Sequence, residues 1–344
     1  MKKIFSLIVF SFILIFTFEI DAQVDRKITK VGTTAGQFLK IGAGARALGM
    51  GNAYTAVSDD IFASYWNPAG MANSKGFGQV AFNHSEWLAD IDYDYAAGGM
   101  NLGGLGTAYF TLTSLRVPEE KVRTEDFPEG DGRYWDASAL AVGLGYAKSL
   151  TDRFSIGFNF KYIQESIWNS KSNGFALDVG TYYITPFNDL VIGASISNFG
   201  SKLQLDGRDI QLNIDPDGNP STGPNNVQGL YETNEYDIPL TFRIGLAMNV
   251  IETRYFTLKT AVDASHPNDN TEYVNTGAEL AYNDLLFLRG GYKSLFLDDS
   301  EQGFTLGGGI RYELSLGNFI EVNYAYADYG RLKDIQYIDV ALTF

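Results

Sequence analysis

The sequence predicts an all-β fold: a transmembrane antiparallel β-barrel of about fourteen strands, its lumen plugged by a small N-terminal hatch with short helices. Three observations predict it. The chain opens on a segment of the kind that directs export. From Gln79 onward, segments of about ten residues alternate apolar with polar or small side chains. The joins between those segments alternate between short and long, as the hairpins of an outer-membrane barrel do.

The composition agrees. Of 344 residues, 45% are hydrophobic and only 19% are charged, with 21 Tyr, 24 Phe and 37 Gly. A barrel wall must be apolar outside and sterically thin inside, and this mixture supplies both. There is no Cys, which excludes disulfides, thiolate chemistry and a cysteine-linked lipid anchor. A net charge of −15 argues against nucleic acid as a partner, because phosphate binding needs a basic face.

The first element is a signal peptide, residues 1–22. Lys2 and Lys3 precede an apolar run over 4–18, and Ala22 stands as the small residue at the cleavage point. The run falls short of the roughly 18–20 residues of a spanning helix, and no later stretch reaches that length.

Residues 23–78 do not alternate and are assigned to the hatch. They are rich in Gly and Ala, with helix-compatible pieces such as "SDDIFASYW". Ser58 is the expected N-cap there, with Asp59 and Asp60 in the first turn, where carboxylates are favourable. Asn67-Pro68 ends that helix, because a residue before proline leaves the helical region. Ala69 and Gly70 keep the following turn slim. A segment with this much Phe, Leu, Ile and Trp cannot hang free in water, and a fourteen-stranded lumen needs filling.

Residues 79–344 form the barrel. Strands are expected to begin near Val80, Asp92, Gly104, Trp135, Phe154, Gly174, Leu190, Asp237, Tyr255, Tyr273, Leu285, Gly303, Phe319 and Ile335. The clearest alternation sets Ile238, Leu240, Phe242, Ile244, Leu246 and Met248 against Thr241, Arg243, Gly245, Ala247 and Asn249. The same register in the other strands turns a balanced set of charges inward. It includes Lys161, Asp178, Arg243, Asp263, Glu279, Arg289 and Arg311, with Lys259, Lys293, Glu313, Glu321 and Asp339. These are expected to cross-link the lumen by ion pairs, since charge on a lipid face is destabilising. Residues 114–133 and 201–236 read as long acidic loops. Trp87, Trp135, Tyr183, Tyr292 and Tyr326 read as interfacial girdle residues.

No catalytic constellation appears, and neither a cofactor nor a metal is expected. His84 and His266 lie far apart, as rim residues. The "GMGNA" at Gly49 lacks the strand-and-helix context of a nucleotide site. Asp215, Asp217 and Asn219 alternate as calcium ligands do, but the distal Glu is missing, and the stretch reads as a solvated turn-rich loop.

The stretch "ASYWNPAGMA", preceded by "SDD" and by "GARALGMGNAYTA", resembles the hatch of the outer-membrane FadL-like superfamily. Over residues 33–78 it is most similar to the PorV/PorQ branch, some members of which serve type IX secretion. The resemblance implies that Asn67, Pro68, Ala69 and Gly70 form the hatch turn, and that Arg46, Gly49 and Gly51 belong to its small-residue stretch. It implies an outer-membrane location and a non-enzymatic role. Two roles stay open. One is docking of exported proteins or translocon subunits on the long loops. The other is a channel for long-chain fatty acids or other hydrophobic small molecules. Outer-membrane lipid is a partner in either. A general porin fits poorly, because the hatch would block it.

Overall fold

The computed structural model describes residues 30–215, 227–297, 300–315, 317–332 and 334–344. The expected signal peptide and the start of the expected hatch lie outside them, as do Asp217 and Asn219.

Period-two alternation becomes a closed wall. The barrel strands are β1 (Gly78–Trp87), β2 (Ile91–Asn101), β3 (Thr107–Lys121), β4 (Tyr134–Thr151), β5 (Phe154–Ile167), β6 (Ser170–Ile184) and β7 (Val191–Gly200). They continue as β8 (Thr241–Glu252), β9 (Phe256–Pro267), β10 (Tyr273–Tyr282), β11 (Leu286–Leu295), β12 (Phe304–Ser315), β13 (Asn318–Asp328) and β14 (Asp334–Thr343). Each pairs antiparallel with its neighbours in sequence, and β1 closes the ring on β14, with Gln79 opposite Thr343 and Ala81 opposite Ala341. All fourteen expected strands are present.

The two faces sort as the pleat requires. Phe82, Phe110, Leu144, Phe160, Ile244 and Leu288 point outward and are exposed, the apolar band that a bilayer covers. Ala81, Asn83, Tyr95, Ala141, Asp178 and Asp263 point inward and are buried. Among the described residues no helix is long and apolar enough to cross a membrane; the crossing is made by strands.

The joins at one end are all short, and the longest, 122–133 and 201–240, lie together at the other. Two loop expectations need correcting. Residues 114–121 are not loop but the continuation of β3, whose Val117–Lys121 rise past the end of β2, where Asp92 pairs with Arg116. Residues 201–236 carry their own ladders, 211–214 against 227–230 and 203–204 against 235–236, while Asp206 and Gly207 pair with the top of β6. β3 to β6 run 15, 18, 14 and 15 residues, against 10 to 12 in the other strands, so one side of the wall stands taller.

Residues 35–73 fill the barrel. They form a 3-10 turn (Gln37–Lys40), helix α1 (Ala45–Gly49), helix α2 (Ala63–Trp66) and a second 3-10 turn (Pro68–Asn73). Phe38, Leu48, Met50, Tyr54, Phe62 and Met71 make the core with inward Tyr93, Tyr95, Ala325 and Tyr337. Ser58 does not cap a helix: its hydroxyl donates to Tyr54 O at 2.7 Å. The helix has no side-chain cap; Asp60, before it, accepts from the N–H of Phe62, the N-cap residue, at 3.0 Å. The helix is one turn long because the residues before it are committed to holding Arg46.

Candidate functional site

The hatch turn is fixed by one amide. Asn67 is fully buried; its Oδ1 accepts from Ala69 N at 3.2 Å, and its Nδ2 donates to Thr55 O at 2.8 Å and to Thr181 O on β6 at 3.0 Å. Asn67 thus ties two hatch loops and the wall together. Pro68 needs no donor at the first position of the 3-10 turn. The wall is hollowed to receive it: a Cβ at Gly180 would overlap Asn67 Oδ1, and one at Gly157 would overlap the carbonyl of Pro68. Gly70 has the same reason to be small, lying against Ser58 O.

The small-residue stretch lies against β10, β11 and β12. Gly49 stands over Gly307, and Gly51, at φ +63, donates from its N–H to Thr305 Oγ1 at 3.0 Å. A side chain on Gly51 would run into the backbone of Thr276 and Tyr292. Arg46, three residues before Gly49, brings the charge into this stretch. It is 5% exposed. Its Nε and Nη2 both donate to Glu279 at 2.8 Å, and its Nη1 reaches Asp59 at 2.6 Å, Asp60 at 3.0 Å and Tyr54 Oη at 3.1 Å.

From there the network runs along the wall. Glu279 also takes Arg289 Nε at 2.7 Å, Arg289 Nη1 donates to Asn323 at 2.6 Å, and Arg311 pairs with Glu321 at 2.8 Å. Asn323 donates to Asp339, which accepts from Ala45 N at 2.6 Å at the start of α1. Lys259 meets Asp59 at 3.0 Å. Burial would raise the Asp59 carboxyl, but Arg46 and Lys259 beside it hold it well below the usual carboxylate range. Burial raises Asp60 next door; Arg46 opposes this, and the Asp59 charge adds to it. Burial also lifts the Tyr54 hydroxyl well above its ordinary value. This network walls a polar vestibule of about 630 Å³ open at the short-turn end, bordered by Lys75, Asp284 and Glu313.

The other expected lumen charges fall into separate places. Lys161 pairs with Asp178 at 2.8 Å. Asp263 accepts from Tyr54 N at 2.9 Å and Thr55 N at 2.8 Å, and so holds a hatch loop rather than a cation. Arg243 lies with its guanidinium carbon 5.5 Å from the centre of the Trp66 ring and donates to Ser197 Oγ at 3.0 Å. The lumen charges are therefore keyed to the hatch as much as to one another. Asp59 and Asp60, read from the sequence as first-turn residues of a helix, are with Tyr54 the bonding partners of Arg46.

A second vestibule, about 490 Å³, opens at the long-loop end. Trp87 lines it, edge-on to Tyr329 at 5.4 Å between ring centres. It is not a girdle residue: it shares the inward face of β1 with Asn83 and Ser85. His84 and His266 are surface residues beside Asp94 and Glu272. Among the described residues no group of three or more His, Cys, Asp or Glu is placed to hold a metal ion.

Residues 23–218 match the family model described as type IX secretion system protein PorV. No curated protein sequence matches the chain. Among solved structures, a Pseudomonas aeruginosa FadL homologue superposes with a TM-score of 0.52 at 11% identity, over 87% of this chain and 97% of that one. The Pseudomonas putida toluene transporter TodX gives 0.53 at 12%, over 88% and 97%. The Ralstonia pickettii toluene transporter TbuX gives 0.51 at 12%, over 88% and 97%. At such identities the likeness is one of fold.

Proposed function

The chain belongs to the family of type IX secretion system protein PorV, and from that premise we propose that it is a non-enzymatic docking component, holding exported proteins at the outer face of the outer membrane. The observation that carries this reading is the bonding of the hatch into the wall. Asn67 joins it to β6, Asp263 to β9, Glu279 to β10 and Asp339 to β14. A passage through the lumen would have to break several buried charge-assisted bonds at once, each worth about 1.5–3 kcal/mol. The tall wall of β3 to β6 and the ladders formed by 203–214 with 227–236 leave a broad surface outside the membrane, and nothing has to cross the lumen for it to work.

The test is gentle affinity purification from native outer membranes, with mass spectrometry of proteins and lipids. A stoichiometric exported protein or translocon subunit supports docking. A bound hydrophobic molecule with no protein partner refutes it.

One observation favours a second reading, a route for hydrophobic small molecules of the kind named for the TodX and TbuX structures. An apolar hollow of about 730 Å³ lies on the lipid face over β9 to β13, bordered by Leu280, Leu288, Ile310 and Tyr324. Phe287 and Asn323 line both this hollow and the short-turn vestibule. The wall there is continuous, with Phe287 paired opposite Gly309. If this route operates, F287A speeds uptake of a hydrophobic probe such as toluene into vesicles. If the chain only docks, uptake does not change.

A further inference from the structure

We infer that the long-loop vestibule is a binding site for a carboxylate carried on a short peptide segment of an exported protein. This rests on the docking reading and names the chemistry it uses. The vestibule holds two buried basic side chains, Arg243 and Lys293, which are 6% and 7% exposed. Their hydrogen-bond partners are neutral: Ser197 Oγ at 3.0 Å for Arg243, and Tyr329 Oη at 3.2 Å for Lys293. Among the described residues neither forms an ion pair. The contrast with Arg46, which has three carboxylates, is complete.

The nearby carboxylates are turned mainly to other partners. Lys40 at the rim pairs with Asp269 at 2.8 Å, and Glu301 pairs with Arg331. Asp263, on the strand beside Arg243, turns Oδ2 to the N–H groups of Tyr54 and Thr55, while its Oδ1 has no hydrogen-bond partner among the described residues and forms no ion pair with Arg243. An arginine and a lysine with no ion-pair partner among the described residues are left in a space whose other walls include Trp66, Trp87 and Tyr329. Burying an uncompensated charge is expensive. An arriving carboxylate would remove that cost, with the guanidinium fork of Arg243 able to take it through two parallel bonds.

The occupant's remainder is read from a third group. Asn52 lines the same space, is 4% exposed, and its Oδ1 has no hydrogen-bond partner among the described residues. A peptide N–H would satisfy it and a hydrocarbon tail would not. The lipid-face hollow differs in kind, being bordered almost wholly by apolar side chains and glycine. At about 490 Å³ the vestibule lies within the roughly 300–1,000 Å³ of ordinary ligand sites.

The test uses the purified full-length barrel in maltoside micelles, with fluorescence of Trp66 and Trp87 as the readout. The probes are acetyl-Phe-Gly-Glu-Phe-amide, the same peptide with Gln for Glu, and decanoate. The Glu peptide is expected to bind at least tenfold more tightly than the Gln peptide, and the R243Q/K293Q double variant to lose that advantage. R311Q, in the opposite vestibule, should keep it. The double variant also loses the bonds to Ser197 and Tyr329 and the contact of Arg243 with Trp66, so its unfolding midpoint is measured beside binding, and R243K/K293R, which keeps both basic groups, should retain the preference. Equal binding of the two peptides overturns the inference, as does an advantage that survives in the double variant. Binding of decanoate but of neither peptide overturns it too, in favour of a free amphiphile. Co-purification of an exported protein without the Glu-over-Gln preference would sink this site and leave docking standing. The preference without any co-purifying protein would do the reverse.

Discussion

Replacing Arg46 with Met keeps most of the side chain's bulk and removes its charge. The expected cost can be worked partner by partner. Removing one member of a buried ion pair costs about 3–5 kcal/mol, because the other charge is left without compensation. Here the loss is partly cushioned. Glu279 keeps Arg289 at 2.7 Å, and Asp59 keeps Lys259 at 3.0 Å and is 30% exposed at its side chain, so water screens it. Asp60 loses its one ion-pair partner among the described residues and retains the Tyr54 hydroxyl at 2.5 Å and the Phe62 N–H. The sum falls at the lower end, about 3 kcal/mol. Adding D60N removes the stranded charge and should restore about 1 kcal/mol. Urea unfolding of the purified barrel in micelles, followed by loss of the compact electrophoretic form, measures both. If R46M unfolds within about 0.5 kcal/mol of the wild type, or if D60N makes R46M worse, the network does not hold the hatch.

The neighbouring aspartates should respond to pH with opposite signs. Asp59, held below its unfolded value, contributes stability above pH of about 3.9 that is lost as pH falls through its folded pKa, so D59N destabilises at neutral pH and little in acid. Asp60, held above its unfolded value, contributes stability below that value that is lost as pH rises through its folded pKa, so D60N stabilises at neutral pH; pH-dependent melting of both variants checks the pair. N67A removes an amide that makes three buried hydrogen bonds, should cost about 1–3 kcal/mol, and should raise single-channel conductance; unchanged conductance and stability would refute the hatch-turn role. G277A and G291A place a methyl into the hatch backbone at Met50 and Gly51 and should lower the unfolding midpoint, whereas G290A, whose Cβ meets only the tip of Leu306, should not.

Alternation made the wall legible strand by strand, and its errors have physical causes. β6 begins at Ser170 rather than near Gly174 because its upper outward residues, Lys171 and Asn173, are polar and exposed; above the bilayer nothing requires an apolar face. β8 begins at Thr241 although the apolar rhythm reaches back to Ile238. Ile238 is 3% exposed because it packs against the hatch near Gly36, a burial that imitates a strand position. Trp87 was misplaced because an aromatic at a strand end has the same sequence signature whether it faces lipid or lumen. The lumen charges could be assigned to a face but not to partners. Arg46 and Glu279 are 233 residues apart, and no local pattern encodes where a buried segment will lie.

The hatch is synthesised first, yet its anchors come last. Ala45 waits 294 residues for Asp339, and Tyr54 waits 209 for Asp263. Contacts so distant in sequence form slowly, and until then Phe38, Leu48, Met50 and Phe62 have no core to enter. The finished wall offers no easy way in either, because its inner glycines lie directly against hatch backbone. Closure of the ring and capture of the N-terminal segment must therefore be one event in time. A chain cut short before β14 would lack the carboxylate that accepts from the first residue of α1, and would be left with an open edge and an unplaced apolar segment.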